Sequence, residues 1–363
     1  MRITIIAGAR PNFIKIAPII KAIEKAIKDN QNISFRLVHT GQHYDHKMSG
    51  SFFEQLGIPE PDVNLECGGG SQAEQTASIM INFEKELINN PPDLVLVVGD
   101  VTSTMACAVT AKKLCVKVAH VEAGIRSNDR NMPEEINRLV TDSISDYFFT
   151  TTENASAQLV KEGIAKQNIF FVGNTMIDTL LSQLKYFQKP AFWTEIQLEK
   201  NKYWLLTLHR PSNVDNETHL AELIQAIIDN SNDLPIIFPV HPRTKVLLEK
   251  LHINYKNIHL IDPLSYLEFN YLVKNSLAVI TDSGGITEET TIMGVPCMTL
   301  RDSTERLETV TIGTNELLGT HPDALKPYMQ KAITGDWKKG CIPDLWDGNT
   351  SERIISALID MQF

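Results

Sequence analysis

The feature that most constrains this chain is an alternation that runs almost end to end. A short apolar, β-branched run stops at a glycine or a polar residue, and an amphipathic helical stretch follows. In the first half the runs are 2–7, 33–40, 93–99, 116–121, 146–150 and 168–172; in the second they are 203–208, 235–240, 257–261, 277–281 and 296–300. Runs as uniformly apolar as Leu94–Val98 need cover on both faces, which a parallel sheet with helices on either side supplies. The alternation predicts two doubly wound parallel-sheet (Rossmann-like) α/β domains. Helices are expected over 13–27, 47–56, 102–115, 133–145, 216–229, 244–251, 265–275 and 285–294, with an amphipathic helix from Asn349 to Asp360 at the end. Ser71 and Glu74 form a capping box ahead of another, which runs to about Asn89. At 363 residues and 43% apolar, the chain can fill a core in each of two domains. The boundary falls in 173–200, where the alternation lapses, giving a first domain of 1–172 and a second of 173–347.

Open α/β sheets bind ligands beyond the carboxyl ends of their strands, so the strand ends carry the functional reading. One stretch stands out. Lys117–Val121 reads as a buried strand that stops at Glu122; a polar loop, Ser127–Asn131, leads to Pro133-Glu134-Glu135, a helix start with proline and acids where they belong. Glu134 and Arg138 share a helix face. A surface ion pair accounts for those two, but not for Glu122 at the end of an apolar strand. Arg10 and Lys15 open the first helix, and His43 and Asp100 also follow strands. In the second half, His209-Arg210, His241 and Asp282-Ser283-Gly284-Gly285 occupy the same kind of position. Two such sheets would face a cleft lined from both halves.

The turn at Ser283–Gly285 passes directly into a helix. Glycines let the backbone approach a ligand, and the free N–H groups of the helix start suit a phosphate or diphosphate. A tight strand-to-helix connection would also need small residues there. Glu288 and Glu289, one turn in, are suited to accepting hydrogen bonds from ribose hydroxyls. Arg306 lies in a charged segment after the next strand. No G-x-G-x-x-G is present, which disfavours a dinucleotide enzyme. The net charge of −10 disfavours a general nucleic-acid or anionic-membrane surface, so an anion must be held by a local cationic pocket. The histidines lack metal-ligand spacing, and no metal or cofactor is expected. Five cysteines without a framework suit the reducing cytoplasm, with Cys107, Cys115 and Cys297 reading as small core residues. The opening residues are too short for a signal segment, and no run approaches a membrane span.

Taken together and in order, several blocks resemble the non-hydrolysing UDP-N-acetylglucosamine 2-epimerases. They are Gly8-Ala-Arg10-Pro11 with Lys15 and Pro18, Gly41-Gln42-His43, Gly99-Asp100, His120-Val-Glu122-Ala-Gly-Ile-Arg126, Pro133-Glu134-Glu135 with Asn137-Arg138, Gly173-Asn174-Thr175, Leu208-His209-Arg210, Thr281-Asp-Ser-Gly-Gly285 with Glu288-Glu289, and Arg301-Asp-Ser-Thr-Glu305-Arg306. The resemblance covers nearly the whole chain. It implies a GT-B-like fold in which the final helix, within 348–363, returns to the first domain. It implies UDP held by Ser283, Gly284, Gly285, Glu289 and Arg306, with Phe269 near the uracil and Arg10 and Lys15 closing from the other side. Asp100, Glu122, Glu134 and His209 fall on catalytic positions, and His43, Arg138 and His241 on the substrate-binding side. The implied reaction is reversible C2 epimerisation of UDP-N-acetylglucosamine to UDP-N-acetylmannosamine by elimination and re-addition of UDP, in a homodimer that serves surface polysaccharide synthesis. A hydrolysing 2-epimerase and a UDP-sugar glycosyltransferase are the alternatives. Asp45, where some relatives carry a glutamine, leaves activation by a second substrate molecule open.

Overall fold

The computed structural model describes residues 1–41, 53, 55–240, 245, 247–248 and 257–361, with the Arg10 side chain excepted. The helices expected over 47–56 and 244–251 lie largely outside these residues, as do His43 and His241. The chain divides into two compact units, Met1–Ser182 with Asp344–Phe363, and Gln183–Pro343. The first unit therefore runs past the expected 172 to include helix Thr175–Gln183 up to Ser182, and takes up the chain again at Asp344.

The first unit is built on seven parallel strands: β1 (Arg2–Ala7), β2 (Ser34–His39), β3 (Val63–Asn64), β4 (Leu94–Val98), β5 (Lys117–Val121), β6 (Tyr147–Thr150) and β7 (Ile169–Phe171). Their order is β3-β2-β1-β4-β5-β6-β7. Every residue of β4 is buried, as its unbroken apolar sequence requires. Helix Thr102–Lys113 covers one face with small side chains: Ala106, Cys107, Ala108 and Ala111 are all at 0% exposure. Their size lets helix Gln72–Asn89 lay Ile79, Phe83 and Leu87 into the same core. That helix begins with the expected capping box, Ser71 accepting from the Glu74 amide and Glu74 from the Ser71 amide. The final helix, Thr350–Asp360, packs on helix Arg10–Lys28. Its first amides are capped by Asp178, and Trp346 donates to the Thr151 carbonyl at 3.1 Å.

The second unit has six parallel strands in the order β10-β9-β8-β11-β12-β13, where β8 is Trp204–Thr207, β9 Ile236–Pro239, β10 Ile258–Ile261, β11 Ala278–Thr281, β12 Cys297–Thr299 and β13 Asn315–Leu317. Its core joins Trp204, Leu206, Phe238, Ile280 and Met298 from the sheet to Leu220, Leu223, Ile224 and Ile227 from helix Glu217–Asn230. Burying each of these large side chains contributes about 1.5–3 kcal/mol. The indole of Trp204 keeps its donor satisfied on the Ser231 carbonyl at 3.0 Å.

Each sheet reverses its winding once, between β1 and β4 in the first unit and between β8 and β11 in the second. Such switch points open a crevice at the carboxyl edge. All described cysteines are free; Cys107 and Cys297 are buried, but Cys115 is exposed. It ends a helix in the left-handed region, φ 60°, so the chain turns it outward instead of into the core. No helix among the described residues is long and apolar enough to cross a membrane.

Candidate active site

At the switch point of the first unit, the turn after β1 is fixed by one side chain. Asn12 accepts from the amides of Gly8 and Ala9 and donates to the Val98 carbonyl at 2.9 Å, which ties the start of helix Arg10–Lys28 to the end of β4. One turn on, Lys15 reaches the carboxyl edge, and its ammonium lies 2.6 Å from Glu122 Oε2. Both side chains are buried, so each charge depends on the other. Gly99 has φ 71°, and a side chain there would stand 3.0 Å from the Lys15 ammonium. Glu122 itself has φ 73°, a left-handed conformation that a long side chain rarely adopts, and strain of this kind clusters at functional sites. Hydrogen bonds on both sides hold it there: the amides of Glu122 and Ala123 both donate to the Phe149 carbonyl.

A second carboxylate, Asp100, follows β4. Arg138 grips it through Nε at 3.0 Å and Nη2 at 2.6 Å, while its Nη1 lies 2.7 Å from Glu135. Arg138 is therefore partnered by Glu135 and Asp100, and Glu134, which shares a helix face with it, is exposed on the first turn of helix Pro133–Ile144. Glu135 also accepts from the Ser127 amide and hydroxyl and the Asn128 amide, so one carboxylate closes the polar loop. Burial opposes its ionisation, but these hydrogen bonds and Arg138 hold its pKa below the usual value. Beneath the loop, His120 spans from Asp142 at 2.6 Å to the Gly99 carbonyl at 2.9 Å. Asp142 also takes the Gly124 amide and Arg126. Despite complete burial, the His120 and Arg126 contacts depress the Asp142 pKa.

In the second unit, Asp282 ends β11 beside His209, which follows β8. Asp282 is fully buried and accepts from His209 Nδ1 at 2.8 Å, from the amides of His209 and Arg210, and from Asn213. These bonds outweigh burial and lower its pKa. A carboxylate on Nδ1 fixes the ring and leaves Nε2 to act, and the His209 side chain is 62% exposed. Ser283 precedes helix Gly284–Met293, whose first turn carries no acid. A Cβ on Gly284 would lie 2.8 Å from Glu305 Oε1, so only glycine leaves that approach open. Glu305 is half-buried, and although burial opposes its ionisation, Arg301, bonded to it at 2.6 Å, and Arg306 hold its carboxyl at about 2. Arg306 Nε lies 3.0 Å from Glu288. Glu288, read from sequence as a ribose acceptor, thus serves the arginine. Glu289 remains: it is 4% exposed beside Tyr266 and Asn270, and burial pushes its carboxyl up to about 7 against their hydrogen bonds. Phe269, on the same helix as those two, packs half-buried on the core.

Of the residues expected from sequence, the structure thus gathers Lys15, Asp100, Glu122 and Arg138 at one switch point, with Glu134 exposed on the adjoining helix. It gathers His209 with Asp282 and Ser283–Gly285 at the other, where Glu289 and Arg306 line the helix that follows. Sequence reading gave Glu135, Asp142 and Glu305 no individual role and did not pair His209 with Asp282. The one available signal was the doubled acid in Pro133-Glu134-Glu135.

This arrangement has relatives. The family model for UDP-N-acetylglucosamine 2-epimerase matches residues 25–359. The UDP-N-acetylglucosamine 2-epimerase of Methanocaldococcus jannaschii is 44% identical over 371 residues, 99% of both chains. A crystal structure of the M. jannaschii enzyme in complex with UDP-GlcNAc and UDP matches with a TM-score of 0.87 at 43% identity, covering 99% of this chain and 100% of that one. The UDP-2,3-diacetamido-2,3-dideoxy-D-glucuronate 2-epimerase of Pseudomonas aeruginosa is 41% identical over 328 residues, 90% of each chain. The two parallel-sheet units are GT-B-like, as in these 2-epimerase structures, and the chain belongs to the UDP-N-acetylglucosamine 2-epimerase family.

Proposed function

We propose that the chain interconverts UDP-N-acetylglucosamine and UDP-N-acetylmannosamine, with unit 2 holding the UDP and unit 1 supplying the proton-transfer groups. The observation that carries this reading is the set of carboxylates at one switch point: Glu122 paired with Lys15, Asp100 paired with Arg138, and Glu134 nearby in sequence on the helix that carries Arg138. The C2 hydrogen of the sugar is not acidic while C1 keeps its oxygen. As the C1–O bond stretches, C1 becomes cation-like and C2–H acidifies. A carboxylate then removes the proton, leaving an unsaturated sugar and UDP. When UDP re-adds and a second acid protonates the opposite face, C2 is inverted. Two proton-transfer groups are needed, one for each face, and paired carboxylates in different surroundings supply them.

Ser283, Gly284, Gly285 and Arg306 hold the departing diphosphate by helix amides and charge, with Arg10 and Lys15 adding to the grip. Glu289 and Phe269 take the ribose and uracil. His209, oriented by Asp282, bridges sugar and diphosphate or assists a proton transfer. His43 and His241 join the substrate side. The enzyme works without a cofactor in the cytoplasm, as a homodimer, and its product feeds surface polysaccharide synthesis.

The 41% identical relative named for a 2,3-diacetamido glucuronate favours a second reading of the substrate alone, with the same chemistry on a sugar that bears a C3 acetamido group and a C6 carboxylate. Turnover of both nucleotide sugars, compared side by side, decides between them. Asp100→Asn, Glu122→Gln and Glu134→Gln test the assignment. Each is expected to lower turnover by about 10²-fold or more while UDP affinity in calorimetry stays within a few-fold. Loss of UDP binding in all three would refute the placement of these acids on the sugar side.

A further inference from the structure

Helix Arg10–Lys28, which carries Lys15, has Pro18 in its interior. Proline lacks the N–H that would close on the Ile14 carbonyl, and its ring pushes that carbonyl outward. A shielded acceptor left in this state lacks a partner unless another donor reaches it. Here a hydroxyl from another helix takes the place of the missing donor. Thr179, on helix Thr175–Gln183, donates to the Ile14 carbonyl at 2.6 Å and is 2% exposed. Its neighbour Asp178 caps the final helix, accepting from the Thr350 amide at 3.1 Å and from the Ser351 amide at 2.7 Å. Two adjacent residues of one helix thus hold the first helix and the last.

Ile14 directly precedes Lys15, and the preceding turn is already tied to β4 by Asn12. The rotation of the turn that aims Lys15 at Glu122 is therefore set from two sides, by Asn12 before it and by Thr179 at it. We propose that Thr179 is a positioning residue for the Lys15–Glu122 pair, its hydroxyl standing in for the N–H that Pro18 lacks. The inference deepens the epimerase reading and rests on it.

Kinetics of the full chain with UDP-N-acetylglucosamine test it, using the wild type, Thr179→Val, Thr179→Ser, Pro18→Ala and the Pro18→Ala/Thr179→Val double variant, with melting temperatures as the structural control. Because misplacement by about 1 Å can cost up to ~10²-fold, Thr179→Val is expected to lower kcat by about tenfold. Thr179→Ser keeps the donor and is expected to keep kcat. Pro18→Ala restores the backbone N–H, so in that background Thr179→Val should change kcat by less than about twofold. If Thr179→Val lowers only the melting temperature, or costs the same kcat in both backgrounds, the proposal is overturned. A wild type that does not epimerise at all would overturn the functional reading instead.

Discussion

Glu289 offers a test that needs no substrate. Its carboxyl is buried, and burial lifts it from an ordinary 4.5 to about 7. Below pH 4.5 both the folded and the unfolded chain hold the proton, and the group's contribution to stability is at its fullest. As pH rises from there to 7, only the unfolded chain ionises, and that stability is lost; above 7 the loss is complete. Each pKa unit is worth 1.36 kcal/mol, so the whole loss is about 3 kcal/mol, of which about 2 kcal/mol falls between pH 5.5 and pH 8. Glu289→Gln keeps the shape and a hydrogen-bonding amide but does not titrate. Its stability relative to the wild type should therefore improve by about 2 kcal/mol between those two pH values. Urea titrations at each pH measure this. Trp193, Trp204 and Trp337, three of the chain's four tryptophans, lie in the unit that holds Glu289, so fluorescence reports that unit's unfolding. A stability difference that stays the same at both pH values would refute the claim that burial lifts the Glu289 carboxyl to about 7.

Other expectations follow from single contacts. Asp282→Asn removes the charge beside His209 and turns one of the two accepting oxygens into a donor, and should lower kcat by about 10²-fold; an unchanged kcat would show that the ring needs no carboxylate partner. At Glu122, with φ 73°, Gly should give a protein about 1 kcal/mol more stable than Ala, although both lose turnover; Ala at least as stable as Gly in urea titrations would mean that the backbone there relaxes freely. Glu135→Gln should loosen Ser127–Asn131 through the loss of charged acceptors for two amides, seen as faster amide exchange in that loop; exchange as slow as in the wild type would count against the loop's dependence on this carboxylate.

Much of the fold could be read from sequence because parallel strands covered on both faces write themselves as unbroken apolar runs. β4 and β11 are clear cases. Most edges fall within a residue or two of expectation, since ends depend on caps and ladder bonds. β3 and β13 were missed: two and three residues, largely half-buried, carry no period to detect. Cys115 misled because its neighbours are apolar while its own backbone turns outward. The strand-end residues were legible for a topological reason, since strand ends collect at one edge. Their partners were not. Arg138 and Asp100 are 38 residues apart, and His209 and Asp282 are 73 apart. Which charges meet over such separations is decided by how the sheet winds, not by local pattern. The same holds for Glu288, adjacent to Glu289 but turned to Arg306.

The most direct test of the central claim is to incubate the protein with UDP-N-acetylglucosamine in D2O and follow the proton NMR spectrum. Elimination and re-addition of UDP predicts UDP-N-acetylmannosamine carrying deuterium at C2, with the C2 proton of remaining substrate also washing out. Product that retains its C2 proton, or free sugar and UDP in place of a nucleotide sugar, would contradict it.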